Sequence, residues 1–277
     1  MKYILRVVKY KLLNILYKNY LKVYWDKGTN FGDAFNPYLI SMLSCKKVFW
    51  VHRNYYPNEY IMSIGSILQK ANKNAIVWGS GFISEDVSLK QKPKKILAVR
   101  GPRSRKKLLE MKIDCPEVYG DPALLIPLVY SPKIEKKYKL GIIPHYIDKN
   151  NPLLNKFKDN SETIVLDIKM ENHFKFIDLV LSCEKIISSS LHGIILADAY
   201  KIPSLWIELS NKVKGDGFKF LDYFESVKRK DKLPFKVEEK TTIDEFLDNF
   251  YDYEISIDLN KLIEVAPFEI KNLKRND

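Results

Sequence analysis

Short apolar runs alternate with helix-patterned stretches along most of this chain, and that alternation limits the fold more than any other feature. Residues 21–25, 60–65, 75–79, 95–100 and 117–119, then 139–143, 163–167, 185–188 and 203–207, read as short strands. Residues 33–44, 102–111, 171–182, 191–201 and 219–227 read as helices, with Pro37 expected in the first turn of its helix. Repeated β-α alternation predicts parallel sheets with helices on both faces. Residues 131–138 are charged, contain Pro132 and lack an apolar stripe, as a linker would. The expected class is therefore α/β, with two Rossmann-like domains facing a cleft. Residues 21–130 form the first and 139–277 the second, the latter ending in a helical tail. A chain of 277 residues suits two cores of ~130 residues each better than one. In open parallel sheets, ligands bind beyond the carboxyl ends of the strands.

Net charge is +12, from 46 Lys and Arg against 34 Asp and Glu. Such a balance suits anionic small substrates, nucleic acid or anionic lipid. The basic residues fall in pairs and triplets without a nucleic-acid reader motif, so no nucleic-acid partner is expected. The three cysteines, Cys45, Cys115 and Cys183, are dispersed and show neither metal spacing nor a disulfide framework. A reducing, cytoplasmic setting is expected, with no metal. Residues 1–20 are too interrupted by lysine and arginine to span a bilayer or serve as a secretory signal. They do carry an apolar stripe of Leu5, Val8, Leu12 and Ile15, with Ile4 and Leu16 beside it and basic residues flanking it. This stripe fits an interfacial helix on anionic lipid, and it equally fits a helix packed on its own protein.

The strongest chemical signal is the run from Ile186 to Tyr200, where a buried strand turns directly into a helix through Ser188-Ser189-Ser190-Leu191-His192-Gly193. A helix start favours an anion, and a histidine in its first turn adds a titratable group. Serine capping beside a satisfied histidine reads equally well. Other motifs fall at strand ends. Asn30-Phe31-Gly32-Asp33 offers a close-approach glycine and a carboxylate base, or a capped turn. Trp78-Gly79-Ser80-Gly81 offers backbone amides, or a tight turn. Arg100 could grip a carboxylate or phosphate through paired hydrogen bonds. His145 follows the first strand of the second unit, and Lys219 follows a glycine-rich loop.

Taken together, and in order, these strings resemble the polysaccharide pyruvyl transferase family. The matching pieces are Asn30 to Asp33, Gly79 to Gly81, Val99 to Pro102, Gly120-Asp121-Pro122-Ala123-Leu124-Leu125, Pro144-His145-Tyr146, Ser188 to Pro203, and Lys219 to Tyr223. The Ser-Ser-Ser-Leu-His-Gly form is similar to members that make pyruvate ketals on bacterial exopolysaccharides. The resemblance implies a GT-B-like fold, phosphoenolpyruvate as co-substrate, a sugar diol as acceptor, and no cofactor or metal. It implies His192 and Asp33 as catalytic residues. Arg100, Ser189, Ser190, Leu191, Lys219 and His145 would bind the donor, and Asn30, Gly79, Ser80 and Gly81 the acceptor. Many members carry arginine where this chain has Ser190. A lipid-linked oligosaccharide on the inner face of the cytoplasmic membrane is the acceptor the resemblance implies, and the basic helix at residues 1–20 suits that place. Two other readings share the architecture: a nucleotide-sugar glycosyltransferase, and a non-catalytic component of polysaccharide assembly.

Overall fold

The computed structural model describes residues 2–28 and 30–271, without the side chains of residues 2–4 and 7. Ile4 of the expected stripe and residues 272–277 of the expected tail thus lie outside the described residues. The helices are α1 (Lys2–Leu16), α2 (Phe31–Ser44), α3 (Pro102–Glu110), α4 (Asn155–Lys158), α5 (His173–Leu181), α6 (Leu191–Ala199), α7 (Phe218–Ser226), α8 (Ile243–Asp248) and α9 (Leu259–Glu264). The strands are β1 (Leu21–Tyr24), β2 (Val48–Trp50), β3 (Tyr60–Met62), β4 (Ala75–Trp78), β5 (Lys95–Ala98), β6 (Tyr138–Ile143), β7 (Thr163–Val165), β8 (Cys183–Ser188), β9 (Ser204–Glu208) and β10 (Phe235–Lys236).

The strands form two five-stranded sheets, ordered β2-β1-β3-β4-β5 and β10-β9-β8-β6-β7, and every pairing is parallel. The alternation along the sequence therefore does produce α/β architecture. In each sheet the order departs from chain order at a central strand, β1 in the first and β6 in the second. There two connections leave in opposite directions and open a crevice.

Three local details depart from expectation. α2 begins at Phe31, so Pro37 lies in the second turn rather than the first. The N–H that proline lacks would have served Asp33 O; Asn36 Nδ2 donates there instead, at 3.1 Å, and also to Ile64 O at 3.0 Å. Residues 117–119 contribute only a single bridge, Val99 with Tyr119, rather than a strand. β2 is an additional strand, half-buried along its length.

One apolar cluster runs between the two sheets, and each sheet has a further cluster of its own. Phe31, Phe35 and Leu39 of α2 pack in the same apolar cluster as Leu191, Ile194 and Ile195 of α6 and Phe220 of α7. The tail crosses back to the first sheet. Trp78 Nε1 donates to Leu262 O at 2.9 Å, and Lys271 N donates to Leu43 O at 2.8 Å. A buried knot fixes the far end of α6: Asp198 accepts from Arg229 Nη1 (2.9 Å), Tyr223 (2.8 Å) and Tyr253 (2.6 Å). Satisfied on every side, this knot anchors the helix whose first turn builds the site.

Candidate active site

β8 runs into α6 through a turn tied down by Ser188. Its Oγ bonds to Ile143 O at 2.8 Å and accepts from Ser190 N at 3.0 Å. Gly193 is required here, because a Cβ on it would lie 2.4 Å from Ser188 Oγ. Ser189 Oγ accepts from His145 N at 2.8 Å, which draws the end of β6 to the same spot. Ser190 takes the N-cap position without a side-chain cap bond. The first bond into the helix is Gly193 N to Ser190 O, leaving the amides of Leu191 and His192 ahead of it at the positive end of the helix. The Leu191 side chain is buried in the core, so this residue can offer a ligand only its amide.

His192 is 6% exposed and lies against Gly32, where a Cβ would come within 2.2 Å of the ring. The first turn of α2 thus makes room for the imidazole. A Gly32→Ala substitution suits a helix backbone but pushes the ring aside. Turnover should fall on the order of 10²-fold, as ~1 Å misplacements do, and crowding the buried ring should also cost about 1–3 kcal/mol of stability. Normal turnover in this variant would show that the position of the ring is unimportant.

The buried Nε2 of His192 has no hydrogen-bond partner, and it faces Asp121 Oδ2 at 3.9 Å, itself buried and unpartnered. Asp121 caps the 3₁₀ turn Pro122–Leu128 through its other oxygen, which accepts from Ala123 N at 3.0 Å. Burial pushes Asp121 up to about 6. Burial, and then the charges of Arg100 and Lys219, push His192 down to about 3, so at neutral pH the imidazole is uncharged. Burial is the larger cause, so a proton on the ring needs a compensating negative charge beside it, and Asp121 is the nearest carboxylate, at 3.9 Å.

Asp33 sits in the first turn of α2. Its Oδ2 accepts from Asn30 Nδ2 at 3.2 Å, and its Oδ1 is buried without a partner, as is Asn30 Oδ1. Burial raises Asp33 to about 7, a value suited to taking a proton from a hydroxyl. Lys219, in α7, is 8% exposed and has no hydrogen bond or ion pair among the described residues. Burial and then Arg100 bring it down to about 8, while Asp33 works against them. His145 is also pushed down to about 3, by burial and then by Lys219 and Lys169. Lys219 thus lies within electrostatic reach of His192, Arg100, Asp33 and His145.

Arg100 is fully buried. Nε donates to Asp222 Oδ2 at 3.0 Å, Nη1 to Ser66 Oγ at 2.7 Å and Nη2 to Phe82 O at 2.7 Å, with Nη2 also 2.9 Å from Asp222 Oδ2. Of its five N–H donors only one, on Nη1, remains for a ligand. Its main contribution is a fixed positive charge. Gly79, Ser80 and Gly81, expected to face the acceptor, are buried. Ser80 Oγ bonds to Ser63 O, and Gly81 lies flat on the Arg100 guanidinium, where a Cβ would sit 2.4 Å from Cζ. That loop shapes the floor beneath the arginine and presents no side chain to a sugar.

Two residues central to this geometry, Asp121 and Asp222, carry no role in the sequence reading although both stand inside its motifs. Asp121 precedes a proline, and in the structure it caps the turn which that proline opens. Asp222 pairs with an arginine 122 positions away, a partner that no local pattern discloses.

With the geometry in place, comparison with known proteins is decisive. The model of the family described as polysaccharide pyruvyl transferase matches residues 2–211. The chain belongs to the polysaccharide pyruvyl transferase family. Among its relatives is "Uncharacterized protein L143" of Acanthamoeba polyphaga mimivirus, 32% identical over 209 residues, covering 72% of this chain and 71% of that one. Another is "Succinoglycan biosynthesis protein ExoV" of Rhizobium meliloti (strain 1021), 28% identical over 214 residues, covering 74% of this chain and 64% of that one. No solved structure matches.

Proposed function

We propose that this chain transfers the pyruvyl group of phosphoenolpyruvate to a sugar diol of a surface polysaccharide or its lipid-linked precursor, forming a ketal and releasing phosphate. One observation carries this reading: a buried imidazole and two buried carboxylates, His192, Asp33 and Asp121, each keep an atom without a partner among the described residues, within electrostatic reach of Lys219, whose buried ammonium touches only the face of Phe220. Buried polar atoms are almost always paired, so such a cluster is arranged for a polar ligand. We read the two sheets as a GT-B-like pair with their carboxyl edges across the cleft.

Lys219, the free Nη1 proton of Arg100, Ser190 and the amides opening α6 hold the donor's carboxylate and phosphate. The bound anion offsets the cations that help keep His192 neutral, and a proton reaches Nε2 from the side of Asp121. His192 delivers it to the methylene carbon, which becomes a methyl group. The adjacent carbon gains cationic character, and a sugar hydroxyl adds to it, with Asp33 taking the hydroxyl proton. The bond from that carbon to the phosphate oxygen then breaks. A second hydroxyl closes the ketal and its proton leaves with phosphate, so one diol and one phosphoenolpyruvate give one ketal and one phosphate. Fixed cations stabilise the leaving phosphate without reorganising. The acceptor takes the cavity of about 510 Å³ that shares Ser189 with the site and is lined by Trp206, Glu208, Asn211 and Lys232.

The test is phosphate release from phosphoenolpyruvate with a panel of lipid-linked and aryl glycosides, with the product weighed by mass spectrometry. Acceptor-dependent release with a pyruvyl mass on the sugar supports the proposal. No release with any acceptor, together with tight binding of a sugar nucleotide, overturns it in favour of glycosyl transfer. The pH profile of kcat/KM should be a narrow bell. Asp33 becomes a base as pH rises through about 7, and Lys219 loses its charge as pH rises through about 8. A profile flat from pH 6 to 9 would remove both groups from these roles.

A further inference from the structure

α1 is mounted with its apolar side outward. Tyr17 stacks on Phe49 of the edge strand β2 with ring centroids 4.5 Å apart. Tyr10 Oη accepts from His52 N at 3.2 Å, Asn14 Oδ1 accepts from Tyr56 at 2.7 Å, and Arg6 Nη1 donates to Tyr55 at 2.6 Å. On the opposite side Leu5, Val8, Leu12, Ile15 and Leu16 are 62, 47, 59, 73 and 74% exposed. At 3.6 residues per turn these five share one stripe, with Lys9 bordering it on one flank and Lys11 on the other. Packing of this stripe on the chain's own core is thereby excluded. An exposed apolar strip of several hundred Å² marks an interaction surface.

We infer that α1 lays this face into an anionic lipid surface. Charge identifies the occupant. Residues 1–25 contain no Asp or Glu, while Arg6, Lys9, Lys11 and Lys18 are exposed. A second copy would set these cations against their own kind with no acid on the helix to answer them, whereas anionic headgroups pair with the lysines as the stripe enters the acyl boundary. Among the described residues no helix is long and apolar enough to cross a membrane, so α1 lies along the surface. The hydrogen bonds that Tyr10 and Asn14 accept keep the helix on the body, so the whole protein follows it to the membrane. This inference is independent of the chemistry proposed for the cleft.

Full-length protein is mixed with phosphatidylcholine vesicles, or with vesicles containing one quarter phosphatidylglycerol, at low and at 0.5 M salt, and sedimented. Its oligomeric state is measured separately by light scattering. The expected result is binding to the anionic vesicles, weakened by salt, with at least a tenfold loss in a Leu12→Glu, Ile15→Glu double variant that keeps its circular dichroism spectrum. Lys9→Gln with Lys11→Gln should weaken binding less. Binding that the double variant leaves unchanged overturns the inference. So does absence of binding by the parent, whether it is monomeric or a dimer that the double variant dissociates.

Discussion

Turnover of a His192→Ala variant is expected to fall by roughly 10²–10⁴-fold, the usual contribution of one positioned proton-transfer group. The imidazole is held for that task. Gly32 gives its ring room, Asp121 faces its Nε2 at 3.9 Å, and among the described residues nothing hydrogen-bonds that nitrogen. Because the ring is buried, alanine also leaves a void, and His192→Gln serves as the companion that fills space without an imidazole. Both variants should lose turnover while their unfolding temperatures differ. A merely structural histidine predicts the reverse, with turnover following stability and glutamine largely restoring it. Acceptor-dependent phosphate release by either variant at near the parent rate would take His192 out of the mechanism.

Asp222→Ala should produce the largest loss of stability. The carboxylate meets Arg100 twice and also accepts from Ser104 N at 2.8 Å and Ser104 Oγ at 2.7 Å, all at zero exposure. Deleting it strands a guanidinium in the interior, and breaking such a pair from one side costs about 3–5 kcal/mol. In a protein of this size that corresponds to a fall of roughly 6–15 °C in Tm, readable by calorimetry. The loss comes from leaving Arg100 unpaired, so Arg100→Met together with Asp222→Leu should regain much of the stability but not the turnover. A Tm unchanged in Asp222→Ala would mean that Arg100 finds water or another partner.

How far the sequence discloses this arrangement depends on the range of each interaction. From β6 to α7 the strands and helices other than the four-residue α4 are legible because their apolar runs and helical periods are local. β2 is not, because Val48, Phe49 and Trp50 are half-buried at an edge between lysines and a loop. The α1 stripe is legible, but its direction is not, since that depends on where Phe49 and Tyr56 stand after folding. His192, Asp33 and Lys219 stand out by residue type at strand and helix ends. The burial of Arg100 does not, because it depends on an aspartate 122 positions downstream. The second oxygen of Asp121 is hidden in the same way: one oxygen obeys a local capping rule and the other serves a histidine on a different sheet's helix.

The Arg100–Asp222 pair also determines how the protein meets its substrates. It joins the end of β5 to α7 across the base of the cleft, and Gly101 presses so closely on Asp222 that a Cβ there would lie 1.8 Å from its carbonyl oxygen. The pair and that close contact fix the start of α3 against α7, so any motion separating these helices would first have to break a buried ion pair. Arg100 is therefore held in one position before any ligand arrives, and no binding energy is needed to place its charge.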